Sequence, residues 1–283
     1  MIDDKKSQIL LLLPVIIVFS VLFALPLFTI LIESFHEYEP GRIGSVEGAP
    51  LTIENYMELT HPVYFDYFLQ TYAIAFYSTI ISIISSFPIA YYIARNCSPG
   101  TKKAAISAMV GLLFLSHLVR IYATLLTFGS AGILAPVMSY VGVNTNSSWY
   151  IDVTIVAGLL QYTIPISVLV LIGTIQSLNP RLNEAAQSLG ASVFTSHLTI
   201  TLPLCIRGIV GAFLVSMTLG VSAFAIPWIL GKGRVLFISN LIYSRFSEVG
   251  NLPSGSAVSI TMIILAMIMV FLVSRMTSLV DRT

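Results

Sequence analysis

The sequence predicts an all-α membrane protein with six transmembrane helices, and three observations carry that prediction. Of its 283 residues 56% are apolar and only 10% charged, whereas a chain folded in water carries about a quarter charged residues. The mean hydropathy is +0.90, so lipid is the solvent for much of the surface. Six stretches are long and apolar enough to cross a hydrocarbon core about 30 Å thick, which takes about 20 helical residues.

The first stretch, residues 9–32, is uncharged and follows Lys5 and Lys6. It exceeds the roughly 7–15 apolar residues of a secretory signal and no Ala-x-Ala site follows, so it reads as an uncleaved first span. A loop then carries Glu33, Glu37, Glu39, Glu47, Glu54, Glu58 and Asp66 against the single base Arg42. Residues 69–94, 104–128, 151–178, 203–230 and 256–273 supply the other five spans. Pro88, Pro165 and Pro227 fall inside or near the ends of spans. They predict kinks, either lining a pathway or serving packing alone. The uncharged segment 129–150 has an apolar part, residues 133–141, too short to cross, and predicts a short helix at the interface or dipping back into the membrane.

Orientation follows from Lys and Arg. With the N-terminus inside, the inner segments hold Lys5, Lys6, Arg95, Lys102, Lys103, Arg181, Arg207, Arg275 and Arg282, and the outer segments hold Arg42, Lys232, Arg234 and Arg245. Both termini are therefore expected in the cytoplasm. The chain divides into residues 1–68, the first span with its acidic outer loop, and residues 69–283, a core of five spans that includes the loop 179–203.

Enzyme classes find nothing to stand on. Gly231-Lys232-Gly233-Arg234 lacks both the earlier Gly and the Ser/Thr of a phosphate-binding loop. His36, His61, His117 and His197 have no metal-ligand spacing, and no G-x-S-x-G elbow occurs. A net charge of +1 leaves no footprint for nucleic acid. Cys97 and Cys205 would lie at cytoplasmic span ends, where a structural disulfide is unusual, and read as small apolar residues.

The loop between spans four and five carries most information. Asn179 can cap a helix and Pro180 suits its first turn. Leu182, Ala185, Ala186 and Leu189 recur at helical spacing and give it one apolar face, kept shallow by the two alanines. Gly190 allows a sharp bend into a second short helix. The product is an elbow in the cytoplasm, with Glu184 near its front and an apolar face that calls for a partner. Glu184-Ala185-Ala186, three residues, Gly190, nine residues and then Ile200-x-Leu202-Pro203 resembles the EAA loop of permease subunits of ABC importers at every signature position. Leu51-Thr52-Ile53-Glu54-Asn55-Tyr56, His61-Pro62-Val63-Tyr64-Phe65 and Val119-Arg120-Ile121-Tyr122 resemble spermidine/putrescine permeases within that family. Permeases for opines, aminophosphonates, thiamine and ferric iron share much of the framework.

The resemblance implies a type I ABC importer permease fold in a bacterial inner membrane. It also implies two copies of a separate ATPase that binds ATP and Mg, an external substrate-binding protein, and a second homologous permease, expected as a heterodimer. No cofactor is expected on this chain. Glu184, Ala185, Ala186, Gly190, Leu182, Leu189 and Pro203 are the residues expected to couple to the ATPase. Arg120, Tyr122, Gln161, Tyr162, Phe224 and Trp228 are candidates for the substrate pathway. Arg120, an ionisable residue within an apolar span, either lines a cavity, binds a backbone carbonyl, or snorkels to the interface. The span interiors hold no acid that would pair with a polyamine, Asp152 at the outer start of the fourth span being the nearest, leaving aromatic faces and carbonyls to carry a cation. An ion-coupled secondary transporter would need a coupling site in the spans, and their acid-free interiors disfavour it. A membrane scaffold without a transport path is disfavoured by the EAA loop.

Overall fold

A computed structural model describes residues 12–41, 48 and 50–280. Lys5, Lys6, Arg42, Glu47, Arg282 and the first three residues of the expected 9–32 span lie outside these described residues. The described chain is helical, as its composition requires. Four helices are each long and apolar enough to cross a membrane: α1 (Leu12–Glu33), α3 (Pro62–Arg95), α7 (Ser148–Ser177) and α13 (Leu252–Val280), the last through its part Leu252–Arg275. Two further candidates are bent pairs: α4 (Pro99–Phe114) with α5 (His117–Phe128), at 91°, and α9 (Val193–Leu204) with α10 (Ile206–Val221), at 69°. Counting each pair once gives six spans. The short helices are α2 (Glu54–Glu58), α6 (Ala135–Tyr140), α8 (Arg181–Ser188), α11 (Ala225–Leu230) and α12 (Ile238–Tyr243).

Two spans depart from expectation. The third is not continuous over 104–128. Leu115 and Ser116 are extended, with ψ of 139° and 128°, so the helix restarts at His117 in a new direction. The fifth does not run on to Leu230. It ends at Val221, and Ala225–Leu230 forms a separate helix. Pro227 explains that break, because it has no N–H to offer the carbonyl of Ala223. That carbonyl accepts the Ser239 hydroxyl instead, at 2.6 Å, while the Phe224 carbonyl takes Asn240 Nδ2 at 3.1 Å. At Pro88 and Pro165, by contrast, α3 and α7 continue as single helices.

The chain forms two compact units. One comprises residues 1–65 with 241–265, the other 66–240 with 266–283. In the first, Asn55 is buried and its Nδ2 donates to the carbonyls of Ser34 and His36, at 3.1 and 2.8 Å. Ser34 and Tyr56 share a hydroxyl bond of 2.7 Å. Glu58 gathers three partners: Tyr64 donates to it at 2.6 Å, Arg245 Nη2 at 2.8 Å and Ser254 at 3.4 Å. Arg245 also bonds the Tyr64 hydroxyl and lies over its ring. Part of the acidic segment is thus consumed in fixing its own loop.

In the second unit α7 is the central helix, packed by α4, α5, α10 and α11. Its first half sits in an apolar cluster with Ile74, Ile121, Ile226 and Phe237, and its second half in another with Ala90, Ile93, Cys205 and Ala212. Lipid tails are as apolar as these side chains, so close approach and polar contacts hold such helices together. Small residues supply the approach. A β-carbon on Gly220 would lie 2.9 Å from Ala75 Cβ, and one on Gly208 2.1 Å from Thr174 Oγ1. The polar contacts run through three helices. Ser82 of α3 meets Ser167 of α7 at 3.1 Å, and Ser167 meets Ser216 of α10 at 2.9 Å, all three fully buried.

Candidate functional site: an elbow and a cavity

The elbow begins where α7 ends. Asn179 Oδ1 accepts the backbone N–H of Arg181 at 3.1 Å, and α8 starts with Pro180 at its N-cap. The helix closes with the Gly190 N–H on the Gln187 carbonyl and the Ala191 N–H on the Ala186 carbonyl, both at 3.0 Å. Gly190 takes φ +92°, a left-handed conformation that favours glycine. Ser192 then caps α9 by accepting the Thr195 N–H at 3.1 Å. The bend and the second helix stand where the sequence expects them.

Leu182, Leu189, Val193 and Phe194 are exposed, Leu189 at 89% and Phe194 at 73%. Glu184, Ala185 and Pro203 are exposed as well, with Ala186 half-buried. The two short helices therefore present a large exposed apolar surface.

Five residues outside the expected set hold the elbow. Arg95, at the end of α3, donates through Nη2 to the carbonyls of Ile175 and Leu178, each at 2.6 Å. Ile175 lies in the last turn of α7 and Leu178 is its C-cap, where carbonyls have no i+4 donor; the Ile175 carbonyl also accepts the Leu178 N–H at 3.3 Å. A cation there also offsets the negative end of the helix dipole, by about 0.3–1 kcal/mol. One turn earlier on α3, the Tyr91 hydroxyl accepts from Asn183 Nδ2 at 3.4 Å, and the Tyr91 ring meets the His197 ring edge-on at 4.5 Å. Asn183 Nδ2 donates to Thr201 Oγ1 at 2.8 Å, and His197 Nδ1 lies 3.1 Å from the same hydroxyl. Arg95 had a visible signal, a charge at the margin of an apolar run. The others had none, since Asn183 and Thr201 are 18 residues apart.

The second feature is an open cavity of about 570 Å³, lined among others by His117, Arg120, Tyr162, Leu219 and Phe224. The breaks after Phe114 and Val221 create it by turning these segments aside. Arg120, Tyr162 and Phe224 of the expected pathway set come together here. Trp228 stacks on Phe224, with ring centroids 5.7 Å apart. Gln161 instead donates to the Thr124 hydroxyl, and Tyr122 is exposed and outside the lining. His117 is the addition, its ring edge-on to Tyr162 at 5.8 Å. The Tyr162 hydroxyl donates to the Leu219 carbonyl at 2.9 Å. Arg120 Nε and Nη1 are buried without a hydrogen-bond partner among the described residues. Among the described residues no carboxylate lines the cavity.

Residues 100–283 match the family described as "Binding-protein-dependent transport system inner membrane component". The chain is 29% identical over 235 residues to the spermidine/putrescine transport system permease protein PotB of Haemophilus influenzae, covering 82% of each. It is 26% identical over 280 residues to the inner membrane ABC transporter permease protein YdcU of Escherichia coli, covering 94% of this chain and 88% of that one. Among solved structures, a bacterial alginate ABC transporter in complex with an alginate pentasaccharide-bound periplasmic protein superposes with a TM-score of 0.78. The two share 18% identity, over 99% of this chain and 98% of that one, so the likeness is one of fold.

Proposed function

The chain belongs to the family of binding-protein-dependent transport system inner membrane components, and from that premise we propose that its elbow is the dock for a separate ATPase. The observation that carries this reading is the coincidence of the EAA pattern with an ordered elbow whose Leu182, Leu189, Val193 and Phe194 face outward. The ATPase subunits bind ATP and Mg. Their closure moves the elbow, and the spans switch between inward- and outward-open states, a two-state element biased by nucleotide. Glu184, exposed and ahead of the bend, pairs with a basic residue of the ATPase groove. Both termini and the elbow face the cytoplasm.

The cargo is a polyamine or related organic cation, as the likeness to PotB favours, delivered by an external binding protein. Passage relies on the aromatic faces of Tyr162, Phe224 and Trp228, since cation–π attraction carries a cation without a carboxylate. A second, homologous but different permease completes the route, because one chain supplies one elbow and an ATPase dimer offers two grooves.

Purification of the tagged full chain with its partners tests the assembly. Native mass spectrometry is expected to give one copy of this chain, one homologous permease and two ATPase subunits, with ATP turnover stimulated by binding protein loaded with polyamine. Absence of an ATPase would sink the docking assignment, and two copies of this chain would sink the heterodimer. Orientation is checked separately. A cysteine at Ser188 is expected to react with an impermeant thiol reagent only from the cytoplasmic side, and one at Thr60 only from outside. The opposite pattern inverts the topology.

A further inference from the structure

Tyr91 and Arg95 stand one turn apart on α3, and between them they touch both arms of the elbow and its root. Arg95 holds the end of α7 through the Ile175 and Leu178 carbonyls. Tyr91 touches Asn183 on the first arm and His197 on the second. Thr201, with its side chain buried, joins the arms by bonding Asn183 and His197. The segment His197–Thr201 is a π-helical turn, whose extra residue changes the angular offset between His197 and Thr201. These contacts are neutral or singly charged hydrogen bonds in a packed setting, where unmaking one leaves a buried donor or acceptor without a partner. They therefore oppose any motion of the elbow relative to the end of α3.

Resting on the docking reading above, we propose that Asn183, Thr201, Tyr91 and Arg95 are positioning residues that make α3 the lever of coupling. Displacement of the elbow by the ATPase is carried into α3 as one rigid piece. From there it reaches the transmembrane core through the Ser82–Ser167 contact and the Gly220–Ala75 approach. None of the four belongs to the exposed apolar face. A defect in the linkage thus differs from a defect in docking: the ATPase stays bound and turns over, but its work does not reach the spans.

The test uses the complete complex in proteoliposomes, with the binding protein present. Thr201→Val and Asn183→Leu remove the central bonds at nearly constant volume, and Thr201→Ser keeps the hydroxyl. Both disruptive variants are expected to co-purify the ATPase at the wild-type ratio and to hold basal turnover. Solute imported per ATP should fall about tenfold, within the range by which positions along a coupling route act. Thr201→Ser should restore it. The double variant should lose less than the two single effects combined, since both break the shared Asn183–Thr201 bond. Wild-type uptake per ATP in Thr201→Val and Asn183→Leu would overturn the lever. Loss of ATPase co-purification in those variants would also overturn it, by assigning the residues to the dock. Failure of the unaltered chain to hold an ATPase strikes the docking reading itself. A second measurement does not depend on the variants. Spin labels at Asn96 and Thr199, both exposed, should report the same separation in nucleotide-free and ATP-bound complexes. A change in separation between those states in the otherwise unaltered chain would show that the elbow moves free of α3.

Discussion

Replacing Gly190 by proline is expected to abolish uptake while the spans remain inserted. Gly190 holds φ at +92°, and proline is locked near −65°, so the two backbones cannot coincide. Proline also removes the N–H that the Gln187 carbonyl accepts at 3.0 Å. An incompatibility of this kind costs about 3 kcal/mol or more, which corresponds to a loss of about a hundredfold in the population of the bent elbow. Leu189 and Phe194, both exposed, lie on either side of the bend, and their relative placement depends on it. Gly190→Ala meets open space, with nothing within 4 Å of its β-carbon. Its cost is the left-handed strain alone, about 1–2 kcal/mol, so uptake should fall less. Uptake into right-side-out vesicles loaded with ATP, with binding protein outside, measured beside ATPase co-purification, separates the two variants. Uptake and co-purification both intact in Gly190→Pro would end the coupling assignment.

A comparable loss is expected from Gly220→Val, by a different route. The β-carbon would sit 2.9 Å from Ala75 Cβ and 3.2 Å from Ala75 Cα, and backbone at that distance cannot rotate away. Overpacking of this sort costs about 1–3 kcal/mol and occasionally more, and here it forces α10 away from α3. Detergent-solubilised protein should unfold at clearly lower temperature and yield less of the assembled complex. Gly211→Ala is the control, because among the described residues beyond its own helix backbone its β-carbon would meet Val170 Cγ1 alone within 4 Å, at 3.9 Å. Relief of glycine's conformational entropy should make it neutral or stabilising by about 0.5–1 kcal/mol. Equal damage from both substitutions would mean that the helices are held by something other than this approach.

Much of this architecture could be read from the residues alone, because each legible element announces itself locally. An uncharged run the length of a bilayer needs no tertiary context to be a span. Asn179-Pro180, the paired alanines and Gly190 specify a capped helix and its stop within a dozen positions. What escaped was non-local. The break at Leu115–Ser116 carries no proline or glycine. The end of α10 at Val221 depends on Ser239, whose hydroxyl supplies the Ala223 carbonyl with the bond that Pro227 withdraws. Tyr91, Asn183 and Thr201 meet only because α3 passes the elbow, and each alone is an ordinary polar residue at a membrane margin. The cavity fell between these cases. Arg120, Tyr162 and Phe224 were visible as polar or aromatic residues in apolar runs, but only the two breaks bring them to one wall and leave Tyr122 outside it.

The serine contacts across α3, α7 and α10 bear on how this core can deform. Ser82, Ser167 and Ser216 form two successive bonds of about 3 Å, and each hydroxyl can turn about its own Cβ–Oγ axis to keep donating as the helices tilt. Axial sliding is another matter. A piston stroke of one helical turn, about 5.4 Å, would break both bonds. The trio therefore behaves as a ball joint, free in angle and fixed in height. It favours rocking of a preserved block over telescoping of its members, and it would confine shear to surfaces elsewhere, against lipid or another subunit.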